Sequence, residues 1–600
     1  SVSKRMATFY LDGKEVGKRM FYAPVHSFER VMFRTGSERT FPDVDTPADW
    51  DGILPGAGAT DSLAVYKIAN FKTSSTDADQ GAAFLKADDY KHYVDEFNNM
   101  EDENIVQAIP NAQAWNWMKA NVPLFDTPDK SFEQMWYYRW WTLRKHIENT
   151  SVGYAMTEFL IRRSYADKYN LIASAVGHHI HESRWLRNPI YLDNIIHTWF
   201  HGNNGKPMKK LDFYSSWMAS SIWDKYMVDG RKDSLKTLLP DLVWENKEWD
   251  NHRWDANSLP AGKDGEKVPL YWQYDVRDAM EETISGGRHA KNARPSINSY
   301  MYGNDRAIAD IAALEQDHVL ADLYNKKADS LKAMVEDHLW NDSARFFEVL
   351  YPTQKFADVR EEIGFLPWYF NLPDDNQKFA QAWLQVADEK GFNAPYGLTT
   401  AERRHPLFRT HGVGNCEWDG AVWPFATSQT LTALANFLNN YQYIPAFPVM
   451  KGTDNKAVPS SSESSWKDIY YDQLEKYVQS QSHRGKPYIG EYLDETTGYW
   501  LKGDQERSRY YNHSTFNDLI ITGLCGLRPR ADNKLEVNPL LPAGKWNYFC
   551  LDNILYHGHR VSIVWDKDGG RYHAGRGLSL WVDGKKVGQR ETLGRIIVDL

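Results

Sequence analysis

Three cysteines in 600 residues, Cys416, Cys525 and Cys550, are too few and too scattered for a disulfide framework, and none has zinc-ligand spacing. No apolar run reaches the roughly 18 residues needed to span a bilayer. Excess basic charge is lacking too. The chain has 70 Lys and Arg against 80 Asp and Glu, a net charge of -10 and a pI near 6.0. That balance argues against nucleic acid or an anionic membrane as partner. The glycine-rich run at 56–60 has no Lys-Ser/Thr after it, so it is not a phosphate loop. No low-complexity tract and no strict repeat period is found, which excludes a solenoid. No signal peptide stands in the chain, and a periplasmic or secreted enzyme whose leader was removed is the expectation.

Aromatic residues, by contrast, are plentiful: 14% of the chain, with 24 Trp and 34 Tyr. Such a surplus over what a core needs points to stacking surfaces. Six hundred residues predict one large domain with smaller ones attached. Residues 1–115 read as a β or irregular module with an Asp12-Gly13 hairpin signal. From 116 to 530 helical patterns recur. The 131–150 stretch carries aromatics on more than one face, as a buried helix does. Other helical runs end at Gly202 and Gly230, or start at Pro424. Repeated helix pairs with long decorated loops predict a ring of antiparallel helices, a mainly α fold. From 531 to 600 the pattern alternates with period two around Asp568-Gly569 and Asp583-Gly584, predicting a small antiparallel β-domain. Residues 11–19 echo 582–590, which we read as the shared chemistry of a tight turn.

Three stretches carry chemistry. In 487–518, carboxylates alternate with five tyrosines and Trp500, broken into turns by Gly490, Gly498 and Gly503. Rings stack on the apolar faces of sugars, and carboxylates activate water or accept hydroxyl hydrogen bonds. The segment 275–282 has four acids, Asp275, Asp278, Glu281 and Glu282, a repulsive cluster that needs a reason such as a site. Trp418-Asp419-Gly420-Ala421-Val422-Trp423-Pro424 is a loop entering a helix. His178, His179 and His181 with Glu182 have a partial metal-ligand spacing but no third matching ligand, so no metal is assigned to them.

The order of these motifs resembles that of the inverting glycosidase clan that includes glycoside hydrolase family 63, the trehalases and the mannosylglycerate hydrolases. Ala279-Met280-Glu281-Glu282-Thr283 looks like the clan's Gly-Met-Asp-Asn-Ser, which carries the general acid. Ile297-Asn298-Ser299-Tyr300 is similar to its Leu-Asn-Ser-Leu helix, and Leu339-Trp340-Asn341 up to Phe346-Phe347 to its Leu-Trp hairpin. The 418–424 loop resembles its Trp-x-Gly-Pro-Val-Trp-Pro. Glu491-Tyr492-Leu493-Asp494-Glu495-Thr496-Thr497-Gly498 resembles the segment with the general base. The likeness covers roughly residues 130–530. It implies an (α/α)6 barrel and no cofactor; some relatives carry a structural calcium, which this sequence neither supports nor excludes. Two departures stand out: Glu281 replaces Asp, leaving Asp278 as a rival acid, and Asp494-Glu495 replaces the motif's Pro, leaving Glu495 as a rival base.

The resemblance makes Glu281 the acid and Glu491 the base of an inverting hydrolase acting on an oligosaccharide or a polysaccharide side chain, from the chain end. Trp185, Trp418 and Trp423 are candidate stacking residues. Asp193, Arg277, Arg288 and Asp419 are candidate hydroxyl binders, and Tyr488, Tyr492 and His513 would line the base side. Three other readings compete. One is a polysaccharide lyase using Tyr510, Tyr511 and His513, another an inverting phosphorylase, and the third a carbohydrate-binding protein without turnover. Asn149, Asn341 and Asn512 begin Asn-x-Ser sequons, the last inside the expected pocket.

Overall fold

The computed structural model describes residues 2–3, 6–11, 14–20, 84–253, 270–446 and 462–600. The chain divides into two units, Ser1–Thr76 and Asp77–Leu600. The glycine-rich run at 56–60 lies outside the described residues.

In the first unit, Val2–Ser3, Met6–Leu11 and Lys14–Met20 form a three-stranded antiparallel sheet. Leu11 pairs with Lys14 and Tyr10 with Glu15, and a bulge then puts Phe9 opposite Gly17. At the other end of the chain Val582 pairs with Lys585, Trp581 with Lys586, and Leu580 with Gly588. The echo noted in the sequence is therefore one hairpin form used twice, with the same two-residue connection and the same bulge. In the C-terminal copy Asp583 and Gly584 both have positive φ, 48° and 77°. That is the turn whose twist matches the strands.

The second unit is mainly helical. Residues 84–115, which the sequence assigns to the β or irregular module, hold the helix Lys91–Asn98 and the start of Ala114–Asn121, both packed against Lys130–Lys145. Lys130–Lys145 is buried on nearly every face, as its all-round aromatics predict, and Asp129 caps its first N–H groups. Six further segments form a circuit of contacts. Val176–Ser183 touches Met218–Asp229, which touches Pro295–Leu314, which touches Leu366–Tyr369. That helix touches Pro424–Asn440, which touches Asn517–Leu519, which returns to Val176–Ser183. Four of the six have a longer partner beside them: Ile190–His201, Lys232–Glu248, His318–His338 and Ser462–Ser480. Gly230 ends Met218–Asp229 in a left-handed cap (φ 65°), and Pro424 sits at the first turn of Pro424–Asn440. Lys232–Glu248 escaped the sequence reading because Pro240 lies inside it. The run at 376–391 is broken into Gln377–Ala380, a 3₁₀ turn and Leu384–Ala387.

The C-terminal part is antiparallel. Its five-stranded sheet runs Lys585–Arg590, Gly577–Val582, His559–Asp566, Tyr548–Tyr556 and Leu124–Asp126. The edge strand comes from 400 residues upstream, where no alternation marks it. Arg571 and Tyr572 seal that edge on the buried Asp126. A three-stranded sheet of Leu527–Arg528, Lys534–Val537 and Ile596–Asp599 lies beside it in sequence. No helix among the described residues is long and apolar enough to cross a membrane.

Candidate active site

The loop bearing Glu281 is tied at its base before it is free to present anything. Trp272–Gln273 pairs with Asn292–Ala293, and Asn298 grips Tyr271 by both its N–H (2.8 Å) and its C=O (2.9 Å). That grip gives Asn298 of the Ile-Asn-Ser motif its physical role. Inside the loop Asp278 is buried against Arg294 at 2.7 Å and also accepts from Ser296. Ser285 donates its backbone N–H to Glu361 at 3.0 Å. One oxygen of Asp278 is thus committed to anchoring, the other makes no hydrogen bond, and the residue is wholly buried. The structure does not support it as the rival acid.

Two residues flanking Glu281 are left-handed, Ala279 at φ 58° and Glu282 at φ 68°. A Cβ in that region costs about 1–2 kcal/mol. Replacing Ala279 by Gly relieves this, and the gain outweighs the roughly 0.4–1 kcal/mol of extra chain entropy that glycine brings to the unfolded state. Ala279→Gly is expected to leave thermal stability unchanged or higher by up to about 1 kcal/mol, read by denaturant unfolding.

Glu491 is carried by a second loop, bridged to the 418–424 loop by mutual Val422 and Leu493 hydrogen bonds of 3.0 Å. Asp494 caps the turn that follows, accepting from the N–H groups of Thr496 and Thr497 at 3.1 and 2.8 Å, and Gly498 takes φ 70°. Glu495, the rival base, is drawn away into a cluster with Arg409, which lies 3.7 Å from it and also reaches Glu417 at 2.7 Å and Asp494 at 3.6 Å.

These two loops bring Glu281 and Glu491 into each other's field. Burial pushes the Glu281 carboxyl up to about 7, and the Glu491 charge adds to it. Burial also raises Glu491, opposed by Lys502, Arg507 and Arg163. Arg507 lies 3.3 Å from Oε2 of Glu491, a buried oxygen that makes no hydrogen bond. A third carboxylate, which the sequence reading missed, completes the group. Glu158 is buried, is hydrogen-bonded by Tyr511 and Ser174, and is pushed up to about 8 by burial, with the Glu491 and Glu281 charges contributing. Nothing in Thr157-Glu158-Phe159 marks it. Tyr214 and Cys416 also feel Glu281. Burial with the Glu281 and Glu491 carboxylates nearby pushes the Cys416 thiol up to about 12. At pH 8 that leaves roughly 10³-fold less thiolate than in an ordinary cysteine. Alkylation of Cys416 by iodoacetamide in the folded chain, followed by mass spectrometry, is expected to be slower by that factor, and Cys525 and Cys550 are buried.

Several expected lining residues are used otherwise. Trp423 is sandwiched between Trp418 (4.4 Å) and Tyr492 (4.6 Å), so neither of its faces is free for a sugar. Trp185 is buried with its N–H on Asp518 at 2.7 Å. Asp193 is paired with Arg231 (2.6 Å) and Lys225 (3.2 Å) on an outer helix. Asp419 is buried and caps the N–H groups of His411 and Gly412. Tyr488 donates to the Gly503 carbonyl at 3.3 Å. Arg288 is half-exposed, pairs with Glu282 and lowers Glu281 slightly by its charge. Arg277 lies over Phe213, beside Tyr214. His513 is buried, and burial holds it well below its ordinary value, opposed by the backbone of Glu491 and Tyr511 beside its ring. Asn512 is buried and donates to the Thr157 carbonyl at 3.1 Å, which closes that sequon to a glycan in the folded chain.

The histidine-rich helix separates its members. His178 packs between Trp217 and Phe425, His179 bonds the Asn512 carbonyl at 2.7 Å, and His181 bonds Asp224 at 2.9 Å. Glu182 caps the N–H groups of Phe516, Asn517 and Asp518. Among the described residues no group of three or more His, Cys, Asp or Glu is placed to hold a metal ion.

The family model of the glycosyl hydrolase family 65 C-terminal domain matches residues 527–588, and that of the sialidase-like CBM domain matches residues 1–50. A solved structure named sialidase is 58% identical over 99% of this chain, with a TM-score of 0.80, and this chain spans about half of it, 52%. A GH78 family rhamnosidase of a Bacillus species, 11% identical, shares the fold at TM-score 0.52, over 78% of this chain and 42% of its own. The GH63 mannosylglycerate hydrolase from Thermus thermophilus is 11% identical, with a TM-score of 0.45, over 64% of this chain and 98% of its own. The model of the mannosylglycerate hydrolase MGH1-like glycoside hydrolase domain matches residues 168–514, more than half of the sequence. The chain belongs to that mannosylglycerate hydrolase MGH1-like glycoside hydrolase family.

Proposed function

We propose that the chain is an inverting glycoside hydrolase on an (α/α)6 toroid, with Glu281 as general acid and Glu491 as general base. One observation carries the reading: a buried carboxyl held up to about 7 faces a second carboxylate that lysine and arginine charges support. A group of the first kind still holds its proton near neutrality and delivers it to a leaving oxygen. One of the second kind, with an unbonded oxygen, holds a water. In an inverting enzyme the two flank the sugar about 6.5–9.5 Å apart. The closed circuit of six helices, four with an outer partner, supports the toroid. The substrate is an oligosaccharide or a polysaccharide side chain attacked from its end. The match to a sialidase-like CBM domain at the N-terminus supports a chain that works on glycans.

The lyase alternative needs a tyrosine that ionises. Tyr511 is instead driven well above its ordinary value by burial and by Glu158 and Glu491 beside it, and Tyr510 is occupied with Glu101 at 2.7 Å. The test is hydrolysis of a panel of plant and microbial oligosaccharides, with the product anomer followed by proton NMR in the first minutes. Inversion at the cleaved carbon is the expected result. Retention, an unsaturated product or a need for phosphate would each overturn the reading.

A further inference from the structure

The six helices of the circuit enclose a cavity of about 410 Å³, lined mostly from their C-terminal halves, whereas the Glu281 loop precedes the N-terminus of Pro295–Leu314. It is lined at helical spacing: Gly303, Ala307 and Asp310 on one helix, and Thr432, Asn436 and Asn440 on another. The volume lies within the about 300–1,000 Å³ of small-ligand sites. None of Glu158, Glu281 or Glu491 lines it.

The wall offers donors and acceptors in balance. Four arginines face four carboxylates, among amides, hydroxyls and the partly exposed Trp223. Some of these groups are incompletely used. Asp518 is 1% exposed and takes Trp185 and Arg184 on one oxygen, while its other oxygen makes no close hydrogen bond and has the His181 ring nitrogen 3.8 Å away. Asp310, at the exposed rim, has no hydrogen-bond partner among the described residues. Arg528 bonds the Asn436 side chain at 2.7 Å and the Thr522 carbonyl at 3.3 Å, and no carboxylate lies within 4 Å of it among the described residues. A buried acceptor left unpaired costs about 1–3 kcal/mol, so the second Asp518 oxygen calls for a partner, while Asp310 at the rim is open to one. A simple anion would suit Arg528 but be repelled by Asp518, Asp310 and Asp224, and a cation would meet the reverse conflict. Hydroxyl groups both donate and accept, and a sugar ring adds an apolar face for Trp223.

We infer that this cavity is a second carbohydrate site, for a neutral mono- or disaccharide unit, on the opposite end of the helical unit from the catalytic carboxylates. It would hold one part of a glycan while another is cleaved. The chemistry of the cavity stands whether or not the catalytic assignment does, because binding is read directly.

The full chain carrying Glu281→Gln and Glu491→Gln is titrated by calorimetry and saturation-transfer NMR with methyl glycosides of mannose, galactose, xylose and rhamnose. Glucuronate and sulfate serve as charged comparisons. At least one neutral glycoside is expected to bind. Trp223→Ala and Asp310→Asn, each added to that background, are expected to weaken this binding at least 10-fold at unchanged melting temperature. Asp310 is exposed, so its variant carries the test if Trp223→Ala fails to fold. Binding unchanged in the rim variants, no binding of any neutral glycoside, or binding of the anions alone would each overturn the inference.

Discussion

Glu281→Gln is expected to lower kcat/KM at least about 10³-fold on any substrate with a poor leaving group, and Glu491→Gln to do the same. The amide keeps the shape of the carboxyl and removes the transferable proton, so substrate binding should survive. The two variants differ in a second measurement. An aryl glycoside with an acidic phenol needs little help at the leaving oxygen and should restore much of the rate to Glu281→Gln. Azide, which replaces activated water, should help only Glu491→Gln. In the wild type the kcat/KM profile should be bell-shaped. Its alkaline limb lies near 7, where the acid loses its proton, and its acid limb lies above the ordinary carboxylate range, where Glu491 gains one. Activity surviving in Glu491→Gln would move the base to another carboxylate.

The same burial that tunes Glu281 has a consequence for stability. Its carboxyl is raised on folding, so between the ordinary carboxylate range and about 7 the folded chain holds one proton more than the unfolded chain. Stability from this group is complete at low pH and declines as pH rises through that window, by up to about 3 kcal/mol. Glutamine does not titrate. Glu281→Gln should therefore match the wild type near pH 4.5 and exceed it at pH 8 in denaturant midpoint.

The largest loss of stability is expected from Asp278→Ala, about 3–5 kcal/mol. It leaves Arg294 buried with its charge uncompensated at the root of the acid loop. Equilibrium unfolding reads it directly. Replacing Asp278 and Arg294 together by Asn and Met should recover part of the loss, because no lone charge then remains. A loss below about 1 kcal/mol in Asp278→Ala would show that the pair does not anchor the loop.

Much of the architecture was legible in residue order. Period and punctuation marked most of the helices: Gly230 as a left-handed cap, Pro424 at a first turn, the aromatics around all sides of Lys130–Lys145. Asp583-Gly584 marked a hairpin, because each of these signals acts within a few residues. The ordered motifs around Glu281 and Glu491 were legible for the same reason. What lay outside the sequence's reach depends on which distant groups meet. Trp423 looked like a sugar platform until Trp418 and Tyr492 were found on its two faces. Asp278 and Glu281 are three residues apart and similar in kind, yet a buried arginine ties one down and leaves the other to be raised by desolvation. Glu158 sits in no motif, and only the fold carries it to Glu281 and Glu491, more than 120 residues downstream. Local sequence sets turns, caps and faces because those forces are short-ranged. Burial and charge proximity set the function of a carboxylate, and both are properties of the packed chain alone.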